Sequence, residues 1–292
     1  MLSRLDPALL TCPPPPEGPA VRLRYLGTAG FVVTGAQRTL VLDPYISRPS
    51  LWKTATARLR PDAEQVRRRI PVADDVLVGH AHHDHVLDAP VLCQQTGARF
   101  IGSPSACNVA RAAGLAEEQI LCTRGREAIA CGSAVVYGAP SRHGMSYGRV
   151  PLPGVVSVPP RWPPRVWELR HGRVLNWHID IGGVKIVHID TADFCGEELA
   201  GLSADVLCLC AIGRQNRPRY VQDAVRLLRP RYVVACHWDC FWVPYSAPRR
   251  LLPGVDLSGF LREIREAGAQ PVLLDFDGVL AVEGEGGDGP PC

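Results

Sequence analysis

Apolar and polar positions along this chain fall into short runs, and the runs change character part-way through. Residues 21–26 set apolar side chains between basic ones, the period of a half-buried strand. Gly27-Thr28-Ala29-Gly30 then reads as a turn and 31–33 as the returning strand. Residues 39–42 predict a third strand ending at Asp43-Pro44, and 76–78 a fourth ending at Gly79. Ser103-Pro104 is a helix start, with Ser as N-cap and Pro at the first helical position, and Gly114 stops that helix. Strands follow at 120–122 and 134–137. Gly182-Gly183 between the runs 177–181 and 184–189 is a hairpin signal. Strands 206–211 and 232–236 then alternate with helices 219–228 and 257–267, and 272–274 with 279–281 finish as a short strand pair. Mixed sheets with helices outside them make a layered α/β core.

Three segments leave this rhythm. Residues 1–20 contain the run Pro13 to Pro16 and read as an extended arm. Residues 283–292 are rich in Gly and acid and read as a flexible tail, which leaves 21–282 as a single domain. Residues 144–176 are Pro-rich with little period, yet carry Trp162 and Trp167. A long loop of this kind is usually functional, and the tryptophans argue for packing, so the insertion reads as a lid or pocket wall.

Composition narrows the function classes. The net charge is +3 over 292 residues and the basic residues are nearly all Arg, with only Lys53 and Lys185 as exceptions. No basic stripe points to nucleic acid as a partner. The 11 Cys form no C-x-x-C pair, no secretory leader pattern opens the chain, and no apolar run is long enough for a bilayer. These features predict a cytoplasmic protein with free thiols and a small-molecule partner, without stable membrane insertion; oligomeric state is not legible.

The chemistry concentrates at the end of the fourth strand. His80-Ala81-His82-His83-Asp84-His85 places imidazole and carboxylate donors at the mouth of one strand, a donor set that suits Zn²⁺ and related ions. Four donors in six residues can serve two ions, but two ions need more ligands. His143, Asp190 and His237 each stand at a predicted strand end, where layered α/β folds assemble sites. Asp180 competes with Asp190, because His178-Ile179-Asp180 repeats as His188-Ile189-Asp190; Asp190 is favoured because it ends its strand and opens a loop. His188 shares a face with Asp190 and reads as a buried or supporting residue. His83 reads as surface or support, His171 as a solvated turn residue, and Cys236 and Cys240 as core. Asp239 is a candidate to orient His237. Tyr147, Tyr245, Arg149, Arg161 and Arg165 are candidates to hold a leaving group or an anionic substrate.

Taken in order, His80, His82, Asp84, His85, His143, Asp190 and His237 resemble the motifs of the metallo-β-lactamase superfamily, as do the turn Gly27 to Gly30 and Asp43. The resemblance spans about 21–281 and implies a four-layer αββα sandwich with its site at one edge. It implies two divalent metal ions, Zn first and Mn or Fe as alternatives. His80, His82 and His143 would bind the first, Asp84, His85 and His237 the second, and Asp190 would bridge them. Asp43 would hold a metal histidine by hydrogen bond. Many antibiotic-destroying members carry Cys where Asp190 stands, so the resemblance points to other dinuclear hydrolases. The strings Tyr25-Leu26-Gly27-Thr28-Ala29-Gly30-Phe31 and His237-Trp238-Asp239 are similar to the lactonase-like and phospholipase-D-like branch. The implied reaction is attack of a bridging hydroxide, its pKa lowered to ~7, on an ester, lactone, amide or phosphodiester, with Asp84 and Asp190 as the catalytic carboxylates. A phosphodiesterase or phospholipase-type hydrolase and a non-hydrolytic metal-dependent oxygenase are the alternatives.

Overall fold

The first half of the chain builds one sheet, the second half builds another, and the last strand returns to the first. The computed structural model describes residues 2–284; Met1 and 285–292 lie outside the described residues. In chain order the elements of the first half are β1 (Ala20–Gly27), β2 (Gly30–Gly35), β3 (Arg38–Leu42), α1 (Leu51–Thr56), α2 (Ala63–Arg69), β4 (Asp75–Val78), α3 (His83–Val86), α4 (Ala89–Thr96), β5 (Arg99–Gly102), α5 (Pro104–Ala112) and β6 (Ile120–Cys122). The second half holds β7 (Ala128–Cys131), β8 (Ala134–Ser141), β9 (Val174–Ile181), β10 (Val184–Ile189), α6 (Gly196–Leu199), β11 (Val206–Cys210), α7 (Tyr220–Leu228), β12 (Tyr232–Cys236), α8 (Leu257–Glu266), β13 (Gln270–Val272) and β14 (Val279–Glu283).

Two seven-stranded sheets result, ordered β14-β1-β2-β3-β4-β5-β6 and β13-β12-β11-β10-β9-β8-β7. Helices α4 and α5 pack on β4, β5 and β6, while α6, α7 and α8 pack on the second sheet and on one another. The fold is thus the expected α/β sandwich of two sheets between helices. The parallel strands β11 and β12 are buried at every residue, because helices cover one face and the facing sheet covers the other.

Local chemistry explains the elements that periodicity predicted. Gly182 and Gly183 both take positive φ and close the β9–β10 hairpin in register Val184↔Ile181. Ser103 caps α5 by accepting from Ala106 N, and Pro104 occupies its first turn. Helix α7 buries Tyr220, Val221, Ala224, Val225 and Leu228, the single stripe its spacing predicts.

The predicted pairing of 272–274 with 279–281 is wrong. Strand β13 pairs with β12, whereas β14 pairs with β1 in the other sheet. The segment between them crosses from sheet to sheet, turned by the Asp275 carboxylate, which accepts from Phe276 N, and by the Asp275 carbonyl, which accepts from Gly278 N. Glu283, placed in the expected tail 283–292, is the last residue of β14 and pairs with Ala20. The N-terminal arm carries a short 3₁₀ turn at Pro7–Leu9, bridges to Arg250 and Leu273, and packs Leu2, Leu5 and Leu9 against the core. No helix among the described residues is long and apolar enough to cross a membrane.

Candidate metal centre

The site forms where the C-terminal ends of β3, β4, β10 and β12 meet. Strand β4 delivers the chain to Gly79, whose N–H donates to Asp43 Oδ1 at 2.7 Å and whose carbonyl accepts from Leu175 N at 2.9 Å. His80 and His82 therefore leave the strand at a point tied to both sheets. His82 is the N-cap of α3, and that single helical turn presents Asp84 and His85. An added Cβ at Gly79 would lie 2.1 Å from Asp190 Oδ2, so only Gly fits where β4 passes this carboxylate. The variant Gly79→Ala is expected to weaken metal binding by roughly 10–100-fold, the cost of disturbing a supporting contact. Competition against a chromogenic chelator reads this, and unchanged affinity would show that Asp190 has room to shift.

All seven residues singled out in the sequence converge. Three groups of donor atoms each lie within 4.8 Å of one another: His80, His82 and His143; His80, His85 and Asp190; Asp84, His85 and His237. The middle group joins the outer two. His80 Nε2 lies 3.0 Å from His82 Nδ1, and His237 Nε2 lies 3.3 Å from Asp84 Oδ2. His143 Nδ1 faces its own Gly144 carbonyl at 2.7 Å, so Nδ1–H donates there and leaves Nε2 to the cluster. Gly144 N–H donates to Thr191 Oγ1 at 2.9 Å, which ties the His143 loop to the one carrying Asp190. Asp180 is exposed on β9, away from the group.

A second ring of contacts orients these donors. His85 Nδ1 is 2.9 Å from Asp43 Oδ2, and His80 Nδ1 is 2.7 Å from Asp190 Oδ2. Each contact fixes a tautomer in which Nε2 carries the free lone pair. His188 Nε2 donates to Ala29 O at 2.9 Å, which leaves Nδ1 4.0 Å from Asp43 Oδ2. His237 takes a positive φ, and its N–H donates to Thr28 O.

The electrostatics suit a cation. Burial, reinforced by neighbouring histidines, holds His80, His82 and His85 well below the usual imidazole range, so they present lone pairs and not charges. Burial raises the Asp84 carboxyl, but His85, His83 and His237 outweigh it and bring Asp84 well below the ordinary carboxylate range. Asp43 is pushed well above that range by burial and by the neighbouring Asp190 charge. Asp190 Oδ1, His82 Nε2 and His237 Nδ1 are buried with no hydrogen-bond partner among the described residues. Buried carboxylates beside neutral imidazoles, with an orphaned carboxylate oxygen, are the donor chemistry that a divalent ion satisfies.

Several supporting residues differ from expectation. His171 is not a solvated turn residue: its ring centroid lies 5.8 Å from that of His82 and 5.6 Å from that of His143. The parallel between Arg142-His143-Gly144 and Arg170-His171-Gly172 was the available signal, since His171 Nδ1 also donates to its following Gly carbonyl, at 2.6 Å. His83 is buried and packs edge-on against Tyr45 and Phe241. Asp239 does not reach the His237 imidazole; it accepts from Tyr25 Oη at 2.8 Å and Thr28 N at 2.7 Å and pairs with Arg48. Arg48 carried no sequence signal of its own. Cys236 and Cys240 are core residues, and burial pushes both thiols up.

The donors open into a cavity of ≈ 310 Å³. The insertion supplies part of its wall through Ser146, Tyr147, Arg149, Pro151, Leu152 and Val166. Tyr245, Arg161 and Arg165 do not line it. Tyr245 is buried among Arg48, Arg69 and Phe276, and Arg165 lies over the Trp167 ring while donating to Thr56 O.

Residues 22–237 match the model of the β-lactamase superfamily domain. The chain belongs to the β-lactamase superfamily. A UPF0173 metal-dependent hydrolase of Thermococcus onnurineus is 30% identical over 234 residues, covering 78% of this chain and 88% of that one. Among solved structures, the metallo hydrolase Igni18 of Ignicoccus hospitalis superposes with a TM-score of 0.61 at 20% identity, covering 90% of this chain and 99% of that one. The diiron β-hydroxylase CmlA of Streptomyces venezuelae shares the fold at 15% identity and a TM-score of 0.58, across 93% of this chain and 55% of that one. This member of the superfamily is a metal-dependent hydrolase.

Proposed function

We propose that the protein is a dinuclear metal-dependent hydrolase acting on a small-molecule ester, lactone or related bond. The convergence of seven donors on one cavity supports this reading. His80, His82 and His143 would hold one cation and Asp84, His85 and His237 the other, with Asp190 between them. Imidazole and carboxylate donors favour Zn, and Mn or Fe fit the same set. When bound, such a pair supplies Lewis acidity and a hydroxide nucleophile near neutral pH.

The chain's own residues set the rest. His80 is held by Asp190 and His85 by Asp43, so the donor atoms are aimed before any substrate enters. Asp84 and Asp190 are the two carboxylates facing the reaction centre. The cavity walls of Leu152, Val166, Ile212, Phe241 and Leu252 keep bulk water from the reacting bond and favour a substrate with an apolar body.

The test is metal analysis together with a substrate panel. Two equivalents of metal per chain are expected, with turnover of a chromogenic ester or lactone that is lost on chelation and restored by Zn²⁺. One equivalent of iron with oxygen uptake would overturn the hydrolytic reading. Turnover of bis-p-nitrophenyl phosphate alone would replace the ester with a phosphodiester.

A further inference from the structure

Resting on this hydrolase reading, we propose that the substrate is an amphipathic monoanion, an apolar ester, lactone or amide whose carboxylate is gripped by Arg149 at the cavity mouth.

Arg149 is the single Arg or Lys among the residues lining the cavity. Its guanidinium makes no ion pair or side-chain hydrogen bond among the described residues, although its backbone is well anchored. Ser146 N donates to Arg149 O at 2.9 Å, Tyr147 Oη donates to Pro253 O at 2.8 Å, and Asn216 Nδ2 donates to Met145 O at 2.9 Å. Gly213 packs so closely on this turn that an added Cβ would lie 2.4 Å from Met145 O. The turn that carries Arg149 is therefore closed on itself and clamped to the protein at two points, while its charged end is left free.

Three neighbouring arginines are committed elsewhere. Arg142 faces Asp193 at 3.7 Å, Arg165 donates to Thr56 O at 3.1 Å, and Arg170 donates to Pro153 O at 2.8 Å. A guanidinium left uncommitted beside a reaction centre is the group suited to a planar bidentate grip on an oxyanion. One cation balances one negative charge, which favours a carboxylate over a phosphate dianion.

The remaining surfaces fit the same ligand. Ile212, Phe241, Trp242, Leu252, Leu152 and Val166 line the same cavity and offer apolar wall with no further Arg or Lys. Of the five Arg in segment 144–176, Arg149 alone lines the cavity.

The test compares p-nitrophenyl hexanoate with mono-p-nitrophenyl adipate, esters of equal chain length that differ in a terminal methyl or carboxylate. The metal-loaded wild-type enzyme is expected to prefer the adipate in kcat/KM. Arg149→Gln should lower the adipate-to-hexanoate ratio by about tenfold, mostly through KM, the size of one solvent-screened charge-assisted contact. Arg149→Lys should recover part of the ratio. A wild-type enzyme that favours hexanoate, or a ratio that Arg149→Gln leaves unchanged, overturns the proposal. A second arm needs no turnover: hexanoate binding to metal-free protein, read by calorimetry with 1-hexanol as the neutral control. Arg149→Gln should weaken hexanoate severalfold and leave hexanol alone, and equal binding to both proteins overturns the proposal. If neither ester is cleaved while the binding difference stands, the ester reading fails and the anion site survives.

Discussion

Exchanging Asp190 for Asn is expected to lower kcat/KM by at least about 10³-fold while leaving the metal-free protein folded. A metal pair stabilises developing charge by several kcal/mol, and about 4 kcal/mol corresponds to that rate factor. Asp190 Oδ2 lies 2.7 Å from His80 Nδ1, and Oδ1 is buried without a partner. An Asn oxygen in the Oδ2 position keeps the contact to His80, but the amide nitrogen then stands where the unpartnered oxygen faced the cations. It donates where an acceptor is needed, so metal affinity falls with activity. The metal-free protein should melt at the wild-type temperature or above it, because the substitution removes a buried carboxylate that stands beside the buried Asp43 carboxyl. Calorimetry with and without chelator separates these effects. Activity within tenfold of wild type would remove Asp190 from the site, and a metal-free protein that no longer folds would make its role structural.

The second large effect lies away from the proposed ligands. Arg48→Ala is expected to destabilise the protein by ~3–5 kcal/mol, the usual consequence of leaving one member of a buried ion pair alone. Arg48 Nη1 stands 2.7 Å from Asp239 Oδ2, with side-chain exposures of 1% and 2%. The same guanidinium donates to Thr28 Oγ1 at 3.1 Å and lies over the Phe276 ring. Thr28 carries the carbonyl that accepts from His237 N, so the pair supports a proposed ligand through one intervening residue. Denaturant melts should show the loss, and activity should fall even below the melting transition because His237 is less well held. Removing both charges while keeping an acceptor for Tyr25 Oη and Thr28 N, Arg48→Met with Asp239→Asn, should recover part of the stability, since no unpaired charge remains. A single variant as stable as wild type would show that water reaches this pair.

The candidate site was legible to an unusual degree, and the reason is local. His80, His82, Asp84 and His85 follow a strand whose end periodicity locates, and His143, Asp190 and His237 stand at other strand ends. In a layered sheet those ends meet on one edge. What escaped were contacts between segments far apart in sequence. His171 looked solvated because its one local signal, the Arg-His-Gly string shared with His143, does not by itself place it beside the His82 and His143 rings. Asp239 reads in sequence as a candidate to orient His237 or as an exposed residue, but its partners Tyr25, Thr28 and Arg48 lie about two hundred positions away. Helices α1 and α2 went unread because six or seven residues are too few to show a period, and each buries a single residue. Strand β5 was missed because Arg99-Phe100-Ile101-Gly102 sets only two apolar residues in succession.

The sequence by itself determined the layered α/β class, the family and the donor chemistry, because strand periodicity and side-chain donor type are properties of each segment wherever it packs. Tertiary structure alone decided that β13 and β14 belong to different sheets, that Asp239 serves Thr28 and Arg48 and not His237, and which of three candidate arginines lines the cavity. Those outcomes depend on which distant segments share a wall. Burial, hydrogen-bond partners and freedom from partners arise only once the two sheets have closed on one another.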